Sequence, residues 1–193
     1  MDIAAIESHH GGMKKLLVTA LALCAPTTLH AELPVGARAP QVVAQGAIAG
    51  RVVTFNLRHA LRRGPVVLYF YPKAFTQGCT LEAHAFAEAM DDFRAAGASV
   101  VGLSNDSLPT LQRFSREECR DKFAVAVASS ATISAYDVAM LGIGVPGNLS
   151  NRTSYVIAPD GRIRFVHSDL DWRDHVRLTL AAVRAMRPTP TRK

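Results

Sequence analysis

Residues 66–71 read VVLYFY, an apolar and aromatic run with no polar interruption, closed by Pro72. Its length and its β-branched and aromatic content predict a strand buried on both faces. Such a strand needs helices packed on the sheet, and the flanking sequence supplies them. Over Thr80–Ala96, Leu81, Phe86, Met90 and Phe93 recur at helical spacing, and Gly97 gives a stop. Ser99–Leu103 predicts a second buried strand. Ser107 to about Arg120 predicts an amphipathic helix with Leu108, Leu111 and Phe114 on one side. Further elements are a strand over Arg51–Leu57, a short strand over Phe123–Ala128 and one or two helical turns over Ala131–Val138. A Gly/Pro/Asn loop over Gly142–Asn151 follows. Thr153–Ala158 and Arg162–His167 flank Pro159-Asp160-Gly161 as a hairpin, and Asp174–Met186 predicts a last helix. Helices alternating with buried strands imply an α/β sandwich around a central mixed sheet.

With 193 residues, the chain has room for one domain and a short appendage. Three cysteines are too few for a disulfide scaffold, and 49% hydrophobic content excludes a largely disordered chain. The net charge of +6 is scattered: Arg58, Arg62 and Arg63 form one small cluster, and no basic run is interleaved with aromatics. No nucleic-acid partner is expected from that pattern. Residues 13–31 have the layout of a secretory signal peptide. Met13-Lys14-Lys15 is a basic start, Leu16–Ala25 an uncharged apolar run, and Ala31 a cleavage position. The apolar run is about half a bilayer span, so no stable membrane insertion is expected. The reading divides the chain into an N-terminal extension and signal peptide over 1–31, with Met13 as the natural start, a folded domain over 32–186, and a disordered tail over 187–193. Cys24 then leaves with the signal, and the mature chain carries Cys79 and Cys119 to a periplasmic or secreted location, where disulfides persist.

Cys79 lies at a strand-to-helix junction, after Pro72-Lys73-Ala74-Phe75-Thr76-Gln77-Gly78. Unpaired N–H groups at a helix start stabilise a thiolate and make it a nucleophile at neutral pH. Gly78 lets a ligand approach the backbone, and Thr76 can set a hydroxyl beside the sulfur. A buried structural cysteine fits the same residues. His167 and His175 flank Asp169, Asp171 and Trp172, but no Cys/His pair has metal-site spacing, so no metal is expected. Asn148 and Asn151 begin glycosylation-type triplets, which occur by chance.

Pro72-x-x-x-Thr76-x-x-Cys79 resembles the active-site pattern of peroxiredoxins. Its setting, VVLYFYPKAFTQGCTLEA, is similar to the bacterioferritin-comigratory-protein (PrxQ) branch of the AhpC/TSA family. SVVGLSND over 99–106, NRTSY over 151–155 and Pro159-Asp160-Gly161 extend the resemblance from about Leu33 to about Val183. It implies a thioredoxin-like fold and a peroxidase without metal or organic cofactor. Cys79 would attack a hydroperoxide and become a sulfenic acid. Thr76 would bind the peroxide, Arg152 would stabilise the thiolate and the developing charge, and Pro72 would limit water. Hydrogen peroxide and organic hydroperoxides would be substrates, a thioredoxin-like dithiol protein the reductant, and the chain a monomer or weak dimer.

The branch's frequent resolving position, five residues after the first cysteine, is His84, which reads as a helix-surface residue. A second position, in the next helix, aligns near Ser115. Cys119 follows one turn later, about 80° round from Leu111 and so at the edge of the apolar face. It is the candidate resolving cysteine, giving a 79–119 disulfide; an inert cysteine is the other reading. Two rival functions remain at this stage: a thioredoxin-like thiol-disulfide oxidoreductase, which the lack of Cys-x-x-Cys opposes, and a non-enzymatic copper-binding module.

Overall fold

The computed structural model describes residues 32–142, 144–145 and 148–186. The proposed signal segment and tail lie outside them. Seven strands form one sheet: β1 (Val43–Ile48), β2 (Arg51–Asn56), β3 (Val66–Phe70), β4 (Ser99–Ser104), β5 (Ala124–Val127), β6 (Thr153–Ile157) and β7 (Ile163–Ser168). Their order is β2-β1-β5-β4-β3-β6-β7. The β3, β4 and β5 strands are mutually parallel, and the outer strands join antiparallel, so the sheet is mixed.

The central strand behaves as its composition dictates. All five β3 residues are buried. Val67 and Tyr69, with Tyr71 beyond the strand, pack into one core layer with Phe86, Phe93, Phe114 and Val183; Val66, Leu68 and Phe70 pack into the other with Leu57, Ile133 and Tyr155. The first layer is covered by α2 (Gln77–Ala95), α3 (Leu108–Glu117) and α5 (Arg173–Ala185); the second by α1 (Leu57–Leu61) and α4 (Ser130–Ala135).

Several elements differ from the sequence reading, α1 among them, which the reading does not contain. β1 has no counterpart in it, because VAQGAI is weak in β-formers and carries a glycine. That glycine is needed, since a Cβ at Gly46 would sit 2.3 Å from the Val125 carbonyl oxygen of β5. The strand expected to reach Leu57 ends at Asn56, whose side chain accepts from the His59 N–H and caps α1. Within α2, Leu81 faces solvent at 39% exposure, while the carboxyl-bearing Glu82 is fully buried.

Candidate functional site

Parallel strand β3 delivers the chain to its carboxyl end, where Pro72 stops the ladder and a short loop leads into α2. Two ties shape this loop. The Ala74 N–H donates to Asp106 Oδ2 (2.8 Å), and Ser104 Oγ donates to the same oxygen (2.8 Å), fixing the loop to the end of β4. Phe75 sits at φ +64, a strained setting for a non-glycine residue. Its ring packs edge-on against Phe114 of α3 (5.2 Å), which anchors the strained turn. Thr76 then caps α2, and the first intrahelical bond runs from the Thr80 N–H to the Thr76 carbonyl (2.9 Å).

Helix α2 therefore begins before Cys79 instead of just after it. Cys79 is the third helical residue, so the N–H groups of Gln77, Gly78 and Cys79 all belong to the turn that lacks intrahelical acceptors. Thr76 is exposed and its hydroxyl donates to the Lys73 carbonyl (2.9 Å). That leaves its oxygen lone pairs free to accept from a ligand O–H. Pro72 is half-buried and lines a cavity of about 300 Å³ with Lys73, Asn105, Asp106, Asn148 and Leu149.

Arg152 reaches the sulfur from the residue before β6. Its Nη2 lies 3.5 Å from Cys79 Sγ, its Nη1 donates to Glu82 Oε2, and its Nε donates to the Leu170 carbonyl (2.9 Å). Burial works against the charge on Arg152, but the Glu82 carboxyl and the Cys79 sulfur more than offset it, so its pKa lies above the ordinary value. Gly78 is what admits the guanidinium: a Cβ there would meet Arg152 Nη2 at 3.1 Å. The close approach expected at this glycine is thus made by the protein's own arginine.

Behind Arg152 lies a buried polar group that the sequence reading left out. Glu82 is fully buried, and burial pushes its carboxyl up, to about 8, with Arg152 pulling it back only in part. His175 Nδ1 is 2.8 Å from Ser154 Oγ, and His175 Nε2 is 2.9 Å from the Asp169 carbonyl. The His167 and His175 rings are 4.5 Å apart. Among the described residues, no group of three His, Cys, Asp or Glu side chains could hold a metal. Glu82 lies one helical turn after Cys79, on the same face. A charged residue inside the apolar stripe of α2 was the signal available for it.

Cys119 corrects its expected place. Helix α3 ends at Glu117, and Cys119 follows it, its N–H bonded to the Phe114 carbonyl (3.0 Å). The side chain is fully buried in the core layer shared with Tyr69, Phe86 and Phe123, not at the edge of an exposed face. The expected angle does not apply, because α3 ends two residues before Cys119. Burial raises the Cys119 thiol well above its ordinary value, with Glu118 adding to the effect. Ser115, near the aligned resolving position, is also buried; it accepts from the Gly50 N–H (2.9 Å) and donates to the Gln112 carbonyl (2.9 Å). His84 is half-buried and bridges α2 to Glu118 (2.7 Å), the residue before Cys119.

Comparison with known proteins places the chain in a family. Residues 35–166 match the model of the AhpC/TSA family. The chain is 32% identical to peroxiredoxin Bcp of Escherichia coli over 114 residues, 57% of this chain and 72% of that protein. The crystal structure of peroxidoxin BcpB from Mycobacterium tuberculosis superposes with a TM-score of 0.71 at 29% identity, covering 81% of this chain and 99% of that one. Peroxiredoxin Q of Xanthomonas campestris gives a TM-score of 0.64 at 27% identity over 74% and 90% of the two chains.

Proposed function

The chain belongs to the AhpC/TSA family, and from that premise we propose how its site carries out the reaction of a peroxiredoxin. The protein is a thiol peroxidase, an oxidoreductase with a thioredoxin-like fold. One observation carries the assignment of its centre: a buried guanidinium held between Cys79 Sγ and Glu82, at the amino end of α2.

The Cys79 thiolate attacks the terminal oxygen of a hydroperoxide. The O–O bond breaks, the sulfur is oxidised to a sulfenic acid, and the leaving alkoxide or hydroxide takes a proton. Thr76 Oγ accepts from the peroxide O–H, and the first-turn N–H groups of α2 with Arg152 face the oxygens as charge develops. Pro72 shields the sulfur from water. Hydrogen peroxide and organic hydroperoxides are the substrates of this reading.

Cys119 then attacks the sulfenic sulfur and water leaves, giving a 79–119 disulfide that a thioredoxin-like dithiol protein reduces by exchange. Because Cys119 is fully buried, this step requires the end of α3 to open. The rival reading as a disulfide oxidoreductase is not favoured, since the relatives are peroxiredoxins. The layout of residues 13–31 supports a periplasmic or secreted site of action, and a monomer or weak dimer is the assembly we propose. Among the described residues no helix is long and apolar enough to cross a membrane.

Intact mass after one equivalent of hydrogen peroxide tests the cycle. Loss of two hydrogens is expected in the wild type and a gain of one oxygen in Cys119→Ser. A stable one-oxygen adduct in the wild type overturns the role of Cys119. Peroxide turnover retained by Cys79→Ser overturns the whole reading.

A further inference from the structure

At the end of the sheet opposite Cys79, the amino ends of β4 and β5 and the carboxyl end of α2 border a cavity of about 450 Å³. β1 pairs with β5 only through Gly46 and Ala47, and the start of β5 at Ala124 opens into this space. The floor is apolar. Phe55 of β2, Met90 of α2, Val100 and Val101 of β4 and Phe123 before β5 line it, and all are buried. None of the residues placed in the peroxidase steps lines the cavity.

The rim is basic. His59 and Arg63 come from α1 and the turn after it, and Arg94 and Lys122 from the end of α2 and the approach to β5. Among the described residues, no Asp or Glu lines the cavity. Arg94 is fixed there, its Nη1 donating to Asp91 Oδ1 (2.8 Å) and its Nη2 to the Lys122 carbonyl (2.9 Å). Elsewhere on the surface Arg113, Arg120, Arg164, Arg173, Arg177 and Arg184 each meet a carboxylate. The side chains of His59, Arg63 and Lys122 meet none among the described residues. Unpaired cations around an apolar floor suit a ligand divided in the same way, with an anionic head and an apolar chain.

We propose that this cavity binds a single-chain amphipathic anion, the class to which free fatty acids belong. The alkyl chain displaces water from Phe55, Met90, Val100 and Phe123, and the carboxylate accepts from Arg63 and Lys122 at the rim. Small-molecule sites span about 300–1,000 Å³, and this cavity lies at the end of that range suited to one chain. The tail over 187–193 carries Arg187, Arg192 and Lys193 and no Asp or Glu, so its side chains add to the charge of the rim instead of balancing it. The site stands apart from Cys79 and does not depend on the peroxidase reading.

Met90 gives a local probe, because Met140 and Met186 do not line the cavity. The protein is labelled with carbon-13 at its methionine methyls, the Met90 resonance is assigned through Met90→Leu, and dodecanoate is titrated in below its micelle concentration. A saturable shift of the Met90 methyl at one ligand per chain is expected, with Met140 unmoved. Dodecyltrimethylammonium has the same chain and the opposite charge, and should bind at least about tenfold more weakly. Arg63→Gln combined with Lys122→Gln changes only exposed side chains, so the fold is kept, and dodecanoate affinity should drop at least about tenfold. Val53→Trp fills the cavity from its half-buried wall and should abolish the shift. A Met90 resonance that dodecanoate leaves in place overturns the proposal, as does equal affinity for the cationic amphiphile or in the double variant. A Met90 shift produced by raising protein concentration alone would assign the cavity to a second copy of the chain and also overturns it.

Discussion

The two cysteines of the folded domain are almost equally hidden, at 2% exposure for Cys79 and none for Cys119. Burial therefore does not separate a nucleophile from an inert thiol here. The difference lies in what surrounds each sulfur. Cys79 sits in the first turn of α2, with a guanidinium nitrogen 3.5 Å away. Cys119 sits just past the carboxyl end of α3, among Phe114, Phe123 and Tyr69, and its own neighbour Glu118 opposes a thiolate. One helix end favours negative charge and the other opposes it. On the proposed reading Cys79 is the thiol placed to react, while Cys119 is held in the core.

The most severe way to break this contrast is to remove the sulfur at each place. Cys79→Ser should abolish peroxide consumption in a stopped-flow assay. Cys119→Ser should leave the first oxidation step within about twofold, because its sulfur faces no reacting atom; the hydroxyl should destabilise the core by about 1–3 kcal/mol in urea unfolding. Equal loss in both variants would erase the distinction drawn above.

Next in size is the charge itself. Arg152→Ala should slow Cys79 oxidation at least about tenfold, equivalent to ~1.4 kcal/mol or more. It also leaves the buried Glu82 Oε2 without its donor, which should cost about 1–3 kcal/mol in stability. Gly78→Ala sharpens the point: its new methyl would stand 3.1 Å from Arg152 Nη2, so the rate should fall by a few-fold with little change in unfolding.

On the Cys119 side, Ser115→Ala removes the acceptor that the Gly50 N–H uses to hold α3 against the β1–β2 turn. A loss of about 1–3 kcal/mol is expected in urea unfolding. If α3 opening limits resolution, the 79–119 disulfide should form faster in this variant, read by quenched intact mass. An unchanged rate would show that another segment opens.

The two regions were unequally legible before folding. The strand run VVLYFY, the start of α2 and the Pro72-Thr76-Cys79 spacing are local, so residue order displays them directly. Arg152 was found only through the likeness of its surroundings to known proteins, because it follows Cys79 by 73 positions and nothing local marks it. Glu82 was passed over although it breaks the apolar stripe of α2. A helical wheel treats such a residue as solvent-facing, and only the arrival of Arg152 makes its burial tolerable. Cys119 was misplaced for a different reason. The helix was continued in projection beyond Glu117, whereas the chain leaves it through Arg120 and Asp121 at positive φ. Their unusual backbone has no sequence signature, since neither is glycine.

The smallest effect is a pH dependence that also separates the two regions. The Glu82 carboxyl is raised from 4.5 to about 8, so its contribution to stability is complete below about 4.5 and is lost as pH rises through about 8. The His175 ring is lowered from 6.5 to about 4, so its contribution is complete above about 6.5 and is lost as pH falls through about 4. Between about 4.5 and 6.5 the two slopes oppose each other. Thermal unfolding should therefore show a shallow maximum in that window, with a decline toward about 8 and another toward about 4. Glu82→Gln should flatten the alkaline decline, and His175→Asn should remove the acid one. Cys119→Ser should keep both, because the thiol at the end of α3 touches neither group. An alkaline decline that survives in Glu82→Gln would move its origin away from the Cys79 side of the molecule.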